Sequence, residues 1–300
     1  MKTIALYLVI LFGFISCNNQ QTNKSAEIKD GIKTGVLIVS HGSHSTRWRE
    51  MLLDIENSVE QEILKNPKIS EVKSAFMEYE GPNIADQLKA FDRHGFDEII
   101  VVPLFLTISS HTTNDLQNIV GISKNPEVVV RLKEEEIELY KPKAKIVITP
   151  LLDFPGFLKK NVARRYNAIS KDTGNEGVVF VAYGSRLYTQ QWVQLMNDLG
   201  KYLRLTADVE NISYAWCGHI VDYSPQPVTN AVNQILDIEK SVVVIPILVA
   251  FDEMFQGDII KKGIEAVEFN ETKVLYKPDA ILPDENLNKW VIDIVNSTLE

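Results

Sequence analysis

Cysteine is nearly absent from this chain of 300 residues, which has two, Cys17 and Cys217. A disulfide framework is therefore excluded, and the fold must be held by a buried core. Basic charge is also short: 31 lysines and arginines stand against 40 acidic residues, for a formal net charge of −9. That balance argues against a nucleic-acid partner, because binding phosphates needs a basic surplus. The chain contains neither Gly-x-x-x-x-Gly-Lys-Ser/Thr nor Gly-x-Gly-x-x-Gly, so no nucleotide cofactor is expected. No apolar run approaches the ~20 residues that a membrane-spanning helix needs. Histidine is scarce as well, with five in all: His41, His44, His94, His111 and His219.

What is present begins with a short apolar run after the single positive charge of Lys2, which reads as a secretory signal peptide over residues 1–16. Cys17 follows Phe14, Ile15 and Ser16 and resembles the acylated cysteine of a bacterial lipobox, with Phe tolerated at the first position. Residues 17–33 then form a polar tether, since Asn18 to Ser25 offers nothing to a core. These features predict an exported bacterial lipoprotein, held to the membrane by a lipid on Cys17 and facing the periplasm or the cell surface.

Beyond the tether, short β-branched runs alternate with amphipathic stretches, the pattern of βαβ units around a parallel sheet. Val36 to Val39 is the first strand. Trp48, Leu52, Ile55, Val59 and Ile63 then fall on one helical face. Further strands are predicted at 72–77, 99–106 and 145–149, with helices near 83–93, 112–120 and 157–170. The acidic Lys133 to Glu136 reads as a solvated insertion. The same order recurs with strands at 178–182, 212–216, 242–249 and 273–276 and a helix carrying Trp192, Leu195, Met196 and Leu199. Pro103 and Pro246 lie in matching strands, each followed twelve residues later by an Asp, Asp115 and Asp258. Ser40-His41-Gly42-Ser43 likewise matches Ala182-Tyr183-Gly184-Ser185. Two similar halves follow, 34–172 and 173–300, joined through the polar Lys171 to Asn175.

Ligands of parallel α/β folds lie beyond the carboxyl ends of strands, and three candidate metal ligands sit there in the first half: His41, Glu78 and His111. Two imidazoles and a carboxylate suit a divalent first-row metal with an open coordination position. Ser43, Arg47 and Thr112, near helix N-termini, are candidate donors to anionic substrate groups. His44 and His94 read as surface residues, His94 at a helix C-terminus.

The strings Val39-Ser40-His41-Gly42-Ser43, Ala75-Phe76-Met77-Glu78 and Val101-Val102-Pro103-Leu104-Phe105-Leu106 leading to His111 together resemble the CbiX-type sirohydrochlorin chelatases. The resemblance implies an α/β protein of two similar chelatase-like domains, each a four-stranded parallel sheet flanked by helices, facing each other across a cleft. It implies insertion of Co2+ or Fe2+, with Ni2+ a further candidate, into sirohydrochlorin or a related tetrapyrrole. His41, Glu78 and His111 would be both metal-binding and catalytic, the metal being substrate. In the second half the matching positions read Tyr183, Cys217 and Met254, so a second identical site is excluded. Either that half only shapes the cleft, or Tyr183, Cys217, Met254 and His219 form a softer metal or haem site. Because sirohydrochlorin is made inside cells, the predicted export leaves a second function open: a non-catalytic metal- or tetrapyrrole-binding lipoprotein for uptake or delivery. Nothing in the sequence bears on the oligomeric state.

Overall fold

Every residue of β1 (Thr34–Ser40) is buried, which requires that both faces of its sheet be covered. The structure, a computed structural model, describes residues 31–152 and 156–300. The predicted signal peptide, Cys17 and the tether up to residue 30 lie outside the described residues. After β1 come α1 (Thr46–Ile63), β2 (Ile69–Phe76), α2 (Ile84–Arg93) and β3 (Glu98–Pro103). A π-helical turn (His111–Asp115) runs into α3 (Leu116–Ile119), followed by α4 (Pro126–Glu134), β4 (Lys145–Ile148) and α5 (Phe157–Ile169). The second series is β5 (Glu176–Ala182), α6 (Thr189–Ala207), β6 (Ile212–Trp216), α7 (Gln226–Leu236) and β7 (Ser241–Ile247). A second π-helical turn (Glu253–Ile259) then leads into α8 (Ile260–Glu265), α9 (Asn270–Lys273), β8 (Val274–Tyr276) and α10 (Glu285–Thr298).

The strands form two parallel four-stranded sheets, ordered β2-β1-β3-β4 and β6-β5-β7-β8. The repeat seen in the sequence is thus a repeat of topology. Its two prolines show why a residue without an N–H fits a central strand. Leu104 N donates to Val39 O, so the nitrogen of Pro103 faces the other neighbour, β4. That strand's ladder ends at Ile148, paired with Val101, at the rung where Pro103 has no N–H to give. Pro246 lies similarly beyond the end of β8, whose Tyr276 pairs with Val244. These ends also correct two predicted boundaries, since β3 stops at Pro103 and β7 at Ile247. Part of the predicted acidic insertion is the end of α4, which Asn125 caps by accepting from Glu127 N.

Alternation along the strands sends side chains to separate cores. Val36 and Ile38 join Val178, Phe180 and Ala182 in one hydrophobic cluster common to both sheets. Leu37 and Val39 face a second cluster under α2, and Val179 and Val181 face a third under α7 and α8. The common cluster is filled by Leu52, Ile55 and Val59 of α1, Val162 and Tyr166 of α5, Trp192 and Leu199 of α6, and Leu287 and Val291 of α10.

Within this layer the last helix of each half is exchanged. α5 packs on α6 and β7, while α10 packs on α1 and β3. The chain boundary at 172/173 therefore falls between the sheets without separating two packed bodies, and Ile32–Glu300 is a single compact unit.

Asp284 pins one end of the exchange. It caps α10 by accepting from Asn286 N, and its other oxygen accepts from buried Asn161 on α5 at 2.6 Å. Replacing Asp284 by Ala removes a cap and strands a buried donor, for a loss of about 2–4 kcal/mol. Urea unfolding of the variant should show a lower midpoint with an unchanged slope.

Candidate metal centre

In the first sheet the chain leaves β1 for one neighbour, β2, and later returns on the other side as β3. The connections after β1 and β3 therefore diverge, one toward the common helical layer and one toward the outer face, opening a crevice at the carboxyl edge. His41 follows β1 directly and His111 opens the π-helical turn after β3. Glu78 lies just beyond β2, where its N–H donates to the His41 carbonyl at 2.9 Å. Gly42 makes that approach possible. Its φ is +115°, and a Cβ there would lie 2.2 Å from the Glu78 carbonyl oxygen.

The three side chains converge. His41 Nε2 lies 3.1 Å from His111 Nε2 and 3.6 Å from Glu78 Oε1. One ligand atom from each of the three falls within 4.8 Å of the others. The site is neither sealed nor flat on the surface: side-chain exposures are 33% for His41, 27% for His111 and 17% for Glu78.

Hydrogen bonds assign the imidazole protons. His41 Nδ1 donates to the Gly42 carbonyl at 3.1 Å, and His111 Nδ1 donates to Asp115 Oδ2 at 2.9 Å. In the neutral tautomers that these bonds select, each Nε2 carries a lone pair, and the two face each other. Such a pair repels until a cation is shared between them. With metal–nitrogen bonds of about 2.1 Å, the observed separation gives an N–metal–N angle close to a right angle. Burial, and then the neighbouring His111, hold His41 below the ordinary imidazole value despite an opposing pull from Glu78. That shift favours the neutral imidazole, the form able to ligate a metal.

Asp115, missed as a functional residue in the sequence, orients His111 from behind. It is 1% exposed and forms an ion pair with Arg131 of α4. Burial pushes its carboxyl up, but the hydrogen bond and charge of His111, together with Arg131, outweigh this and leave it below the usual carboxylate range. The available signal was the i, i+4 spacing of His111 and Asp115, which puts both on one face of a helical turn.

Each of the three predicted substrate donors has a protein contact, two by hydrogen bonds and Arg47 through an aromatic ring. Ser43 Oγ donates to Asp252 Oδ2 at 2.6 Å, and the Arg47 guanidinium lies 3.9 Å from the centre of the Phe251 ring. Both join the segment from the end of β1 to the start of α1 to the residues after β7, as does Ser45 through Glu253. Thr112 is buried and donates to the Ser109 carbonyl. His44 stacks near Tyr79, with ring centroids 4.4 Å apart, and His94 is the C-cap of α2.

The second half differs from the sequence match by one residue. Gly218 N donates to the Tyr183 carbonyl as Glu78 N does to that of His41, and Cys217 N donates to Ala182 O as Met77 N does to Ser40 O. Gly218, not Cys217, therefore occupies the position of Glu78. Neighbouring residues of an extended chain point to opposite faces, so Cys217 turns inward, fully buried, and burial pushes its thiol up. Met254 is 47% exposed, and Asp258 pairs with Lys262 on the surface at 2.7 Å instead of supporting a ligand. The soft ligand set of Tyr183, Cys217, Met254 and His219 is therefore not assembled.

Asp115→Asn keeps the shape of the support but not its charge. Titration calorimetry with Co2+ should show an affinity about 10–100-fold weaker than wild type, the usual cost of losing such a partner.

The CbiX family model matches residues 35–168. Over 105 residues the chain is 30% identical to the sirohydrochlorin cobaltochelatase of Saccharolobus solfataricus, covering 35% of this chain and 77% of that protein. The fold is similar to that of the sirohydrochlorin chelatase SirB from Bacillus subtilis subspecies spizizenii in complex with cobalt, with a TM-score of 0.62 at 16% identity. It is also similar to SirB from Bacillus subtilis with Fe3+, with a TM-score of 0.65 at 17% identity. Each of these two likenesses covers 89% of this chain and 95% of the other, and so takes in both halves. With its histidine and glutamate strings lying inside the matched segment, the chain belongs to the CbiX family.

Proposed function

We propose that this protein is a metal chelatase that inserts a divalent ion, Co2+ or Fe2+, into sirohydrochlorin or a related tetrapyrrole in the cleft between its halves. The observation that carries the reading is the half-open cluster of His41, Glu78 and His111, with two imidazole lone pairs 3.1 Å apart. The named activity of the cobaltochelatase relative supports it.

The metal enters as substrate, held by the two Nε2 atoms and a Glu78 oxygen. Three protein ligands leave coordination positions open, so pyrrole nitrogens can replace the protein ligands one at a time without a bare ion forming. The macrocycle loses two N–H protons as the metal gains its nitrogen bonds. His41 and His111, released from the metal as it moves, are the bases nearest those protons, and they return them to solvent. Glu78 offsets the charge of the departing ion.

The full chain, purified in mild detergent, should accelerate Co2+ insertion into sirohydrochlorin under anaerobic conditions, followed by absorption. His41→Ala and His111→Ala should each reduce the rate by about 100-fold or more, the scale of general acid–base groups. Binding of the macrocycle without acceleration over the uncatalysed rate would instead identify a carrier.

We infer further that the enzyme works outside the inner membrane, tethered by lipid on Cys17. The short apolar run over residues 1–16 supports this reading. Among the described residues no helix is long and apolar enough to cross a membrane. Cys17→Ala should move the protein from the membrane pellet to the soluble fraction on cell fractionation and abolish incorporation of labelled palmitate.

A further inference from the structure

Beside the candidate metal centre lies a cavity of about 680 Å³. Its walls come entirely from the first half: the segment after β2, the start of α2, Ile119 of α3 and the chain after α4. Glu78, one of the three candidate ligands, forms part of the wall.

That wall carries charge of one sign. Glu78, Glu80, Glu135, Glu136 and Glu138 line it, with no lysine, arginine or histidine among the lining residues. Two of the five are offset by basic neighbours, Glu138 by Lys89 at 2.6 Å and Glu135 by Arg131 at 3.0 Å. Glu80 and Glu136 are exposed and have no ion-pair partner among the described residues. Partial burial and then the charge of Glu78 push the Tyr79 phenol up, with Tyr223 and Glu135 acting in the same direction. Carboxylates from the segment after β2 and from the chain after α4 thus act on one phenol. It stands at the edge of the metal centre, with the Tyr79 ring 6.3 Å from that of His41.

Charge and size together select what can enter. A concave wall lined by one sign of charge concentrates ions of the opposite sign and raises their encounter rate by about 10–1,000-fold. A shell of six waters takes roughly 180 Å³ at ~30 Å³ per water, so a hydrated divalent ion fits. Sirohydrochlorin, with carboxylates around its rim, is repelled by the same wall. The unpaired glutamates guide an ion without trapping it, because His41, Glu78 and His111 are, among the described residues, the one group whose ligand atoms converge.

We propose that this cavity is the entrance for the hydrated divalent ion, with Glu80 and Glu136 drawing it in and Glu78 taking it over, while the macrocycle approaches through the cleft between the halves. The inference rests on the chelatase reading, since the ion is that reaction's substrate. Its consequence concerns order: metal reaches Glu78 whether or not the macrocycle is in place. At Glu78 one bound water leaves as a carboxylate oxygen takes its position, and no proton or electron is transferred.

The full chain in mild detergent is mixed with Co2+ by stopped flow, and loading is followed by the visible absorption of the bound ion. The pair Glu80→Gln and Glu136→Gln should slow association about three- to tenfold and leave dissociation unchanged. Added salt should slow wild type as the screening length shrinks, and should slow this variant less. The pair Glu210→Gln and Glu271→Gln, which removes equal charge from exposed positions of the second half, should match wild type. With sirohydrochlorin bound beforehand, Co2+ insertion should keep the same salt dependence and the same slowing in the cavity variant. Unchanged association in the cavity variant overturns the entrance, as does equal slowing in the surface variant or insertion that waits for the macrocycle to dissociate. Any of these with turnover intact leaves the chelatase standing. Steered loading without turnover keeps the entrance and ends the chelatase, and absence of Co2+ binding by wild type ends both.

Discussion

The His41 carbonyl accepts the backbone N–H groups of both Met77 and Glu78, at 3.0 and 2.9 Å, and the geometry of the candidate metal centre depends on that shared acceptor. It ties the loop bearing one ligand to the residue bearing another, so two ligands are fixed by main chain before any side chain packs. Backbone hydrogen bonds at the end of a fully paired parallel sheet are shielded from water and cannot readily be exchanged for solvent. Gly42 is what lets the loop fold back so closely, because any Cβ would collide with the Glu78 carbonyl. The third ligand is set differently. His111 lies eight residues beyond Pro103, outside the sheet, and is aimed by Asp115 and Arg131 instead of by strand pairing.

The elements and ligands that were legible in the sequence are those governed by local periodicity. Strand ends could be read from β-branched runs, and with them the carboxyl-edge positions of His41, Glu78 and His111. The Asp115–Arg131 support was not legible, because Arg131 lies on a short helix whose acidic end looked like a solvated excursion, and its partner is sixteen residues away. Periodicity says which face of a helix is buried but not against what, and so the exchange of α5 and α10 could not be seen. The one-residue error at Cys217 has a similar origin. Sequence repeats were aligned by residue type, whereas the sheet aligns them by hydrogen bonds, Ala182 with Trp216 as Ser40 with Phe76. The contacts of Ser43 and Arg47 with Asp252 and Phe251 were not legible either, because those partners are some two hundred residues on.

Those long-range contacts give the second half a task that needs no metal. The loop after β1 and the start of α1 are joined to the residues after β7 through Ser43, Ser45 and Arg47. On the other side, Trp192 Nε1 donates to the Ile108 carbonyl and Tyr188 meets Thr113, linking the start of α6 to the loop before His111. The loops that carry His41 and His111 are thus both braced by the opposite half. With the helical layer exchanged between sheets, neither half can swing on a single hinge without breaking the common core.

Duplicated backbone does not leave each half free to carry any ligand, and the coupling is visible at two positions. Where the first half has His41 and Glu78, the second has Tyr183 and Gly218. A Cβ on Gly218 would lie 2.6 Å from the Tyr183 carbonyl oxygen and 2.8 Å from its ring. A carboxylate therefore cannot be restored at 218 while the tyrosine ring keeps its place, and the ring is held there by Tyr223, His219 and Phe255. In the first half the smaller imidazole leaves that volume open, and Glu78 fills it. One steric choice at the end of the first strand of each half thus decides whether the facing turn sets a carboxylate beside two imidazoles or polar groups beside a phenol.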